Sequence, residues 1–369
     1  MKQSKQQDIL AQKSIYFELK TQSILQISGK DCHSFLNRIT TIKPQRLQAN
    51  QATLCFVLDS KGNVEVAFDL LKKKDGQAYY LQCATSALEK IKKTFDFYLF
   101  AEDFKLEVLN KSYLCLYGNQ AKSLMIEMGY QADLPDLQAG ENCLEHDKFI
   151  IYQNQKLGVD GFEIWSSAHQ HANLIHKLSN LTSLDQSNHL QTVVGSEIEY
   201  EILRRLQGKA SYPQEYVGIP LEISKDGIHE QKGCYPGQEV IERMIALGKP
   251  AKQILRFRLE KANLEKALEK ALEKALEKAS PQENPHLEST HLSDLETTNP
   301  SLESVYQYDA ENQTYVVVGE ILSECQDDHD RLISTRLKPK FPNQPYYDSA
   351  RRELKALPPF SSSSVTVSN

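Results

Sequence analysis

The residues best suited to chemistry in this sequence lie in one short loop, 231–243, whose centre is a cysteine. Its turn residues are followed by apolar residues at helical spacing, so Cys234 is predicted to lie just before a helix N-terminus. Helix amides and the Lys232 ammonium would both stabilise a thiolate there, whereas Glu239 in the first helical turn opposes them. Two interpretations stay equally open on local chemistry: a reactive thiol, or a small buried cysteine in a turn. The turn residues are Gly233, Pro236 and Gly237.

The remaining cysteines do not form a metal-binding motif with this loop. Seven cysteines are widely spaced, and no Cys-x-x-Cys pair occurs. This pattern argues against a zinc ribbon or a cluster-ligating run, and we predict no metal site. Scattered free thiols are typical of a reducing cytosol rather than of a secreted disulfide scaffold.

Composition narrows the class of protein further. The chain has 369 residues, which suggests two or three domains. A net charge of −6 and a pI of about 6.0 lack the basic footprint of an autonomous nucleic-acid binder, so any link to RNA is expected to run through a partner. Residues 1–12 have no apolar core, and no stretch approaches the roughly 20 apolar residues of a membrane span. We therefore expect a cytoplasmic protein without direct membrane contact.

Strands and helices are predicted to intermingle without a strict βαβ rhythm, which favours an α+β fold. Asp31 is a candidate N-cap for the helix that carries Phe35, Leu36 and Ile39 on one face. The predicted strands are 23–28, 53–58, 64–71, 78–83, 104–108, 113–117, 148–152, 161–165, 252–259 and 314–318. The predicted helices cover 86–97, 118–129, 169–178 and 196–206, besides those after Asp31 and Cys234.

The domain limits follow from changes in composition. We predict a disordered lead over 1–13, a two-lobed α+β region over 14–248, a C-terminal domain over 249–356 and a disordered tail over 357–369. The C-terminal domain is interrupted at 261–304. Within that insertion, 262–279 is nearly pure Leu-Glu-Lys-Ala, a repeat with strong helix propensity. It is either a solvated insertion or a partner-binding helix.

The loop also carries a family resemblance. Residues 232–239 read Lys-Gly-Cys-Tyr-Pro-Gly-Gln-Glu, which resembles the signature of the YgfZ family, relatives of the glycine-cleavage T-protein. The resemblance covers about 14–260 and 305–356. Besides Cys234 and Lys232, the motif includes Gly233, Tyr235, Gly237, Gln238 and Glu239. Further similar segments are 27–36, 59–62, 158–163, 203–208 and 318–321.

The resemblance implies a three-lobed ring with a tetrahydrofolate site in its central channel and a C-terminal β-barrel. It also implies that Glu163 and Arg204 face this channel. A carboxylate can accept paired hydrogen bonds from the amino-pyrimidine edge of a pterin, and an arginine can bind its polar groups or the glutamate tail. Without the family, Glu163 would be interpreted as an outward strand residue and Arg204 as a surface helix residue.

The sequence departs from the T-protein where one-carbon chemistry needs an acid. Val66 and Ala67 occupy the acidic positions after the glycine turn, and Glu65 and Asp69 are out of register. Because valine cannot serve as a carboxylate, aminomethyltransferase activity is not expected. In addition, Lys156 stands where the T-protein has a folate-contacting tyrosine, and 40–42 lacks the family's Thr-Asn-Asp.

The resemblance implies a folate-dependent accessory protein that supports iron–sulfur enzymes, including the radical enzyme that methylthiolates tRNA. Cys234 would act as the reactive thiol, with Lys232 tuning it. The chain would be neither a classical enzyme nor a direct tRNA binder. The main alternative is a folate-dependent aminomethyltransferase or demethylase, and a third hypothesis is an interaction protein that recruits partners through 262–279.

Overall fold

The computed structural model describes residues 10–131, 134–135, 140–146, 149–183, 190–248, 252–260, 304–309, 314–326, 330–337, 346–347 and 353–356. The chain forms two compact units, Met1–Ala251 and Lys252–Asn369. Among the described helices, none combines the length and the apolar character that crossing a bilayer requires.

The first unit mixes strands and helices along the chain. Its strands are β1 (Ser14–Phe17), β2 (Gln22–Ser28), β3 (Ala52–Leu58), β4 (Val64–Lys72), β5 (Tyr79–Ala84), β6 (Lys105–Val108), β7 (Ser112–Gly118), β8 (Cys143–Glu145), β9 (Phe149–Asn154), β10 (Gly161–Ser166) and β11 (Thr192–Gly195). Its helices are α1 (Cys32–Ile39), α2 (Leu88–Tyr98), α3 (Ala121–Glu127), α4 (Ala168–Ser183), α5 (Glu197–Leu206) and α6 (Gln238–Leu247). Single 3-10 turns lie at Pro44–Arg46, Thr85–Ala87 and Pro220–Glu222.

Two sheets organise this unit. The six-stranded sheet has the order β11-β1-β7-β10-β9-β8, and the five-stranded sheet has the order β3-β4-β5-β2-β6. The pairings are antiparallel except that β1 runs parallel to β11. A mostly antiparallel pair of sheets with helices is α+β architecture, so the predicted fold class is confirmed.

The cores show how the sheets and helices are layered. One cluster takes residues from both sheets, for example Leu71 and Tyr80 from one and Trp165 from the other. A second cluster packs α1 and α2 on the outer face of the five-stranded sheet, and a third packs α3 and α4 on the six-stranded sheet. Residues that alternate along each strand therefore reach either the layer between the sheets or a layer of helices.

Several local predictions need correction. Asp31 precedes α1, but its side chain accepts a hydrogen bond from the backbone N–H of Asp103 rather than capping the helix. Strands β1, β8 and β11 were not predicted. Within the segment 1–13, Leu10 is buried and its carbonyl accepts a hydrogen bond from Asn119 N.

The second unit contains β12 (Gln253–Glu260), β13 (Ser304–Asp309), β14 (Thr314–Gln326), β15 (Asp330–Leu337), β16 (Tyr346–Tyr347) and β17 (Glu353–Ala356). The strands pair in the order β12-β15-β14-β13-β16-β17, and β17 also pairs with β12, so this order closes on itself. The repeat at 262–279 and the tail at 357–369 lie outside the described residues. The predicted domain limits and three-lobed ring stay predictions.

The aromatic core under α2 provides a test of the fold. Phe95 is 1% exposed, and the centre of its ring lies 5.7 to 5.9 Å from the ring centres of Phe35, Phe68 and Phe104. We expect Phe95→Ala to lower the free energy of unfolding by about 3–5 kcal/mol, because it leaves a cavity. Phe97→Ala on the same helix is the matched control, since Phe97 is 81% exposed. Equal losses in urea unfolding of the two variants would contradict this packing.

Candidate functional site

A fully buried carboxylate lies between the two sheets. Glu163 belongs to the central strand β10, and its side chain is 0% exposed. Gln82, from β5 of the opposite sheet, donates a hydrogen bond to Oε2 through Nε2. On Oε1, the Tyr117 hydroxyl lies at 3.1 Å and the Lys156 ammonium at 2.8 Å. Both sheets and the loop after β9 therefore converge on one side chain.

Lys156 extends this cluster to a second carboxylate. Its Nζ also lies 2.8 Å from Asp69 Oδ2, so one ammonium bridges Asp69 and Glu163. Asp69 is directly opposite Gln82 in the pairing of β4 with β5, which places both on the face toward Glu163. Gln82 is fixed in turn by Trp165, whose indole Nε1 donates to Gln82 Oε1 at 2.8 Å. These residues, together with Tyr117 and Asn154, are called the Glu163 network below.

The charges of this network stabilise one another. Burial alone would raise the pKa of Glu163, but Lys156 and the hydrogen bonds from Gln82 and Tyr117 hold it below its usual value. Burial alone would lower the pKa of Lys156, but Asp69 and Glu163 raise it well above its usual value. Burial and Glu163 raise the pKa of Tyr117, so its hydroxyl keeps its proton. At neutral pH Lys156 and Glu163 therefore form an ionised pair.

Asn154 supplies a free donor beside these charges. Its Oδ1 accepts from the backbone N–H of Lys156 at 3.0 Å and lies 2.6 Å from the Tyr117 hydroxyl, whose single proton it shares with Glu163. Its Nδ2 is buried and has no hydrogen-bond partner among the described residues. A buried unpaired donor is costly, so this amide is suited to an acceptor group on a ligand.

Arg204 is buried but already paired. It lies near the end of α5 and is 4% exposed. Its guanidinium makes two hydrogen bonds to Glu201, at 3.1 and 2.7 Å, and one to Glu215 at 2.7 Å. It also donates to the Lys209 carbonyl. Because four hydrogen bonds use most of its five N–H groups, little donor capacity remains for a ligand. Arg204 is therefore not a surface residue, and its pairing favours a structural role.

The cysteine loop has the predicted turn-to-helix geometry. Gly237 is the N-cap of α6 and has φ 77°, and a Cβ there would lie 2.6 Å from the carbonyl oxygen of Asp59. Only glycine fits that position without a shift of the backbone. Cys234 is exposed, whereas the five other cysteines with described side chains are buried. This exposure is what a reactive thiol requires.

Lys232 holds the loop in place through its buried side chain. It is 6% exposed, its ammonium donates to the Asn37 carbonyl, and it lies 4.9 Å from the centre of the Tyr235 ring. Burial and the neighbouring Lys43 lower the pKa of Lys232 to about 8, although nearby thiols, including that of Cys234, oppose the shift. Lys232 is therefore a lysine whose charge changes close to physiological pH.

The other motif residues have different surroundings. Tyr235 is buried, and its hydroxyl has no partner within the described part of the chain. Glu239 is exposed in the first turn of α6, whereas Gln238 is half-buried. Gly233 has φ 100°, a conformation that favours glycine.

The structure does not bring the cysteine loop into contact with Glu163. Tyr235 packs in the core on the outer face of the five-stranded sheet, whereas the Glu163 network lies on its inner face. Cys55 of β3 interacts electrostatically with Lys232 and with Asp69. The two groups thus lie on opposite faces of the five-stranded sheet, and no described contact joins them directly.

Sequence reasoning missed the role of Asp69 and the bridging role of Lys156. Asp69 was set aside as out of register, but the structure places it in the network, while the Glu65 carboxylate lies 3.6 Å from Lys90. The available signal was a polar residue within an apolar strand, as for Asp69 in Ala-Phe-Asp-Leu and Gln82 in Tyr-Leu-Gln-Cys. Buried polar residues of this kind need partners, so they mark candidate networks.

Comparison with known proteins agrees with the motif. No family model matches the chain. The protein called tRNA-modifying protein YgfZ from Buchnera aphidicola subsp. Baizongia pistaciae is 24% identical over 234 residues, which cover 61% of this chain and 67% of that protein. The protein of the same name from Serratia proteamaculans is 26% identical over 234 residues, which cover 61% and 65%. The chain is therefore similar in sequence to the YgfZ proteins.

The fold agrees with this similarity. The solved glycine cleavage system aminomethyltransferase T from Bartonella henselae has a TM-score of 0.67 with 13% identity, and the match covers 94% of this chain and 85% of that one. At this identity the likeness shows the fold alone. The chain spans about two thirds of the length of its YgfZ relatives. The predicted resemblance to the YgfZ family is confirmed.

The buried ion pair makes stability depend on pH. The pKa of Glu163 is lower in the folded chain than in the unfolded one, so its contribution is present above the unfolded value and is lost as the pH falls through the folded value. We expect Glu163→Gln to lower the free energy of unfolding by about 3 kcal/mol at neutral pH. In urea unfolding from neutral to acidic pH, the difference from the wild type should shrink.

Glu65→Gln is the matched control for this measurement. The Glu65 side chain is 39% exposed and lies 3.6 Å from Lys90, so its loss should cost at most about 1 kcal/mol. A Glu163→Gln effect as small as that of the control, or one that grows as the pH falls, would contradict the assigned ion pair.

Proposed function

We propose that this chain, which is similar to YgfZ proteins, binds tetrahydrofolate, or a derivative, at the Glu163 network and acts as an accessory protein for maturation or repair of iron–sulfur enzymes. The observation that carries the proposal is a buried carboxylate beside a buried amide donor, the Asn154 Nδ2, for which the described part of the chain offers no acceptor. Acceptor and donor together match a pterin, whose ring carries N–H groups next to a carbonyl. The T-protein-like fold supports a folate site.

The donors and acceptors of the Glu163 network fit a pterin once one neighbour of Glu163 moves. A carboxylate offers about four acceptor positions, and Gln82, Tyr117 and Lys156 use up to three of them. Glu163 therefore has room for one further N–H unless a neighbour moves. Asn154 Nδ2 would donate to a ring carbonyl. When bound, a reduced folate supplies a carrier for a one-carbon unit.

Cys234 is the proposed reactive group of the protein. It is exposed just before the N-terminus of α6, which is the positive end of the helix. A single cysteine cannot hold an iron–sulfur cluster, so the proposed role is a thiol function in repair or maturation rather than cluster storage.

The proposed partners are iron–sulfur enzymes, including a radical tRNA methylthiotransferase. The name tRNA-modifying protein, which the YgfZ relatives carry, supports a link to tRNA modification. A net charge of −6 argues that this link is indirect. A cytoplasmic location, a three-lobed ring and a C-terminal β-barrel belong to the same proposal.

The alternative is a folate-dependent aminomethyltransferase or demethylase. Asp69 favours it, because this carboxylate lies in the network although the usual acidic positions hold Val66 and Ala67. Against it, the Lys156 ammonium lies 2.8 Å from Asp69 Oδ2, so this carboxylate is already engaged in an ion pair. A turnover assay with tetrahydrofolate and an aminomethyl donor separates the two. Robust transfer that is lost in Asp69→Asn would establish the enzyme.

The thiol role has a direct genetic test. We expect Cys234→Ala to fail to restore tRNA methylthiolation and cluster-enzyme activity in a strain that lacks the gene, because the variant removes the exposed thiol. Cys83→Ala is the matched control, since Cys83 is buried and outside the motif, and it should restore both. The readouts are quantified methylthiolated tRNA and the activity of an iron–sulfur enzyme. Full rescue by Cys234→Ala, with normal protein levels, would refute the proposed role.

A further inference from the structure

Access to Glu163 is blocked by another side chain of the same network. Glu163 is 0% exposed, so no ligand can reach its carboxylate while every neighbour stays in place. Lys156 and Asp69 are the more accessible partners, with side chains that are 26% and 13% exposed. The bridge between them therefore forms the outer layer of the network, with Glu163 beneath it.

Lys156 is the member of the network best able to move. Its charge sits on a flexible four-carbon stem. Gln82 is held at both ends of its amide by Glu163 and Trp165. The Tyr117 ring is fully buried, so neither residue can leave without disturbing the core.

We propose that Lys156 is an internal competitor for the ligand of this site: it covers Glu163 in the free protein and passes to Asp69 alone when a folate binds. This inference rests on the proposed folate site. The ligand N–H groups then replace the ammonium as donors to Glu163. Asp69 keeps the displaced ammonium paired, which makes the movement possible inside a largely buried region.

The arrangement sets the affinity of the site. Only the fraction of molecules with Lys156 away from Glu163 is competent to bind, and the apparent affinity falls by that fraction. Removing the ammonium makes every molecule competent. Removing Asp69 alone leaves the ammonium with Glu163 as its one carboxylate partner, so displacement becomes harder. The two substitutions are thus expected to act in opposite directions.

The experiment measures binding of 5-formyltetrahydrofolate to the full chain by isothermal titration calorimetry. We expect Lys156→Met to bind about tenfold more tightly than the wild type and Asp69→Asn about tenfold more weakly. The double variant, which conserves net charge, should bind as tightly as Lys156→Met. An increase in affinity is a result that mere structural damage would not produce.

Lys73→Met is the matched control. Lys73 is also a partly buried lysine, 16% exposed and 3.3 Å from the Glu145 carboxylate, but it lies outside the network. Its replacement should leave folate affinity unchanged. If Lys156→Met fails to fold because two carboxylates are left together, the double variant and Asp69→Asn decide the question.

The outcomes separate this inference from the proposed function. If the wild type binds and the Lys156 variants bind equally or more weakly, Lys156 is not a competitor and the inference is overturned, while the folate site stands. If Asp69→Asn binds as well as the wild type, the transfer to Asp69 is overturned. If neither the wild type nor any variant binds the probe, the proposed folate function fails and the inference fails with it.

Discussion

Burial of the Glu163 charge between two sheets is the constraint on which the arrangement of the first unit depends. An ionised carboxylate away from water is unstable unless it is paired and hydrogen-bonded. Each neighbouring element meets part of this requirement: β5 supplies Gln82, β7 supplies Tyr117, and the loop after β9 supplies Lys156. Since these groups come from both sheets, the network also fixes how the inner faces of the sheets are matched.

The cysteine loop depends on the same five-stranded sheet from its other side. The turn between β3 and β4 contacts α6 where Gly62 faces Val240, and Gly237 approaches the Asp59 carbonyl. Lys232 and Asp69 both act on the buried Cys55 thiol. The loop and the Glu163 network are therefore supported by opposite faces of one sheet, without a direct contact among the described residues.

The sequence was most informative where the structure is local. The glycines around Cys234 and the following helix could be placed because turn chemistry and helix spacing act over a few residues. Strands β1, β8 and β11 were missed because three or four residues are too few to show a period. The bridge from Lys156 to Asp69 and Glu163 joins three distant strands or loops, and only the sheet topology brings them together. The ion pair between Arg204 and Glu201 could be predicted from the sequence, because Glu201 lies one helical turn before Arg204. The ion pair between Arg204 and Glu215 could not.

The two departures from the T-protein pattern, the carboxylate of Asp69 and the ammonium of Lys156, form one structural feature. A second carboxylate beside Glu163 would, by itself, raise the pKa of one of the two acids and weaken both as charged groups. An ammonium at 156, where the T-protein has a neutral tyrosine, removes that difficulty because it lies 2.8 Å from both acids. Asp69 and Lys156 are therefore best understood as a matched pair of residues. Because Lys156 already engages the second acid, the proposed binding role fits this geometry better than one-carbon transfer.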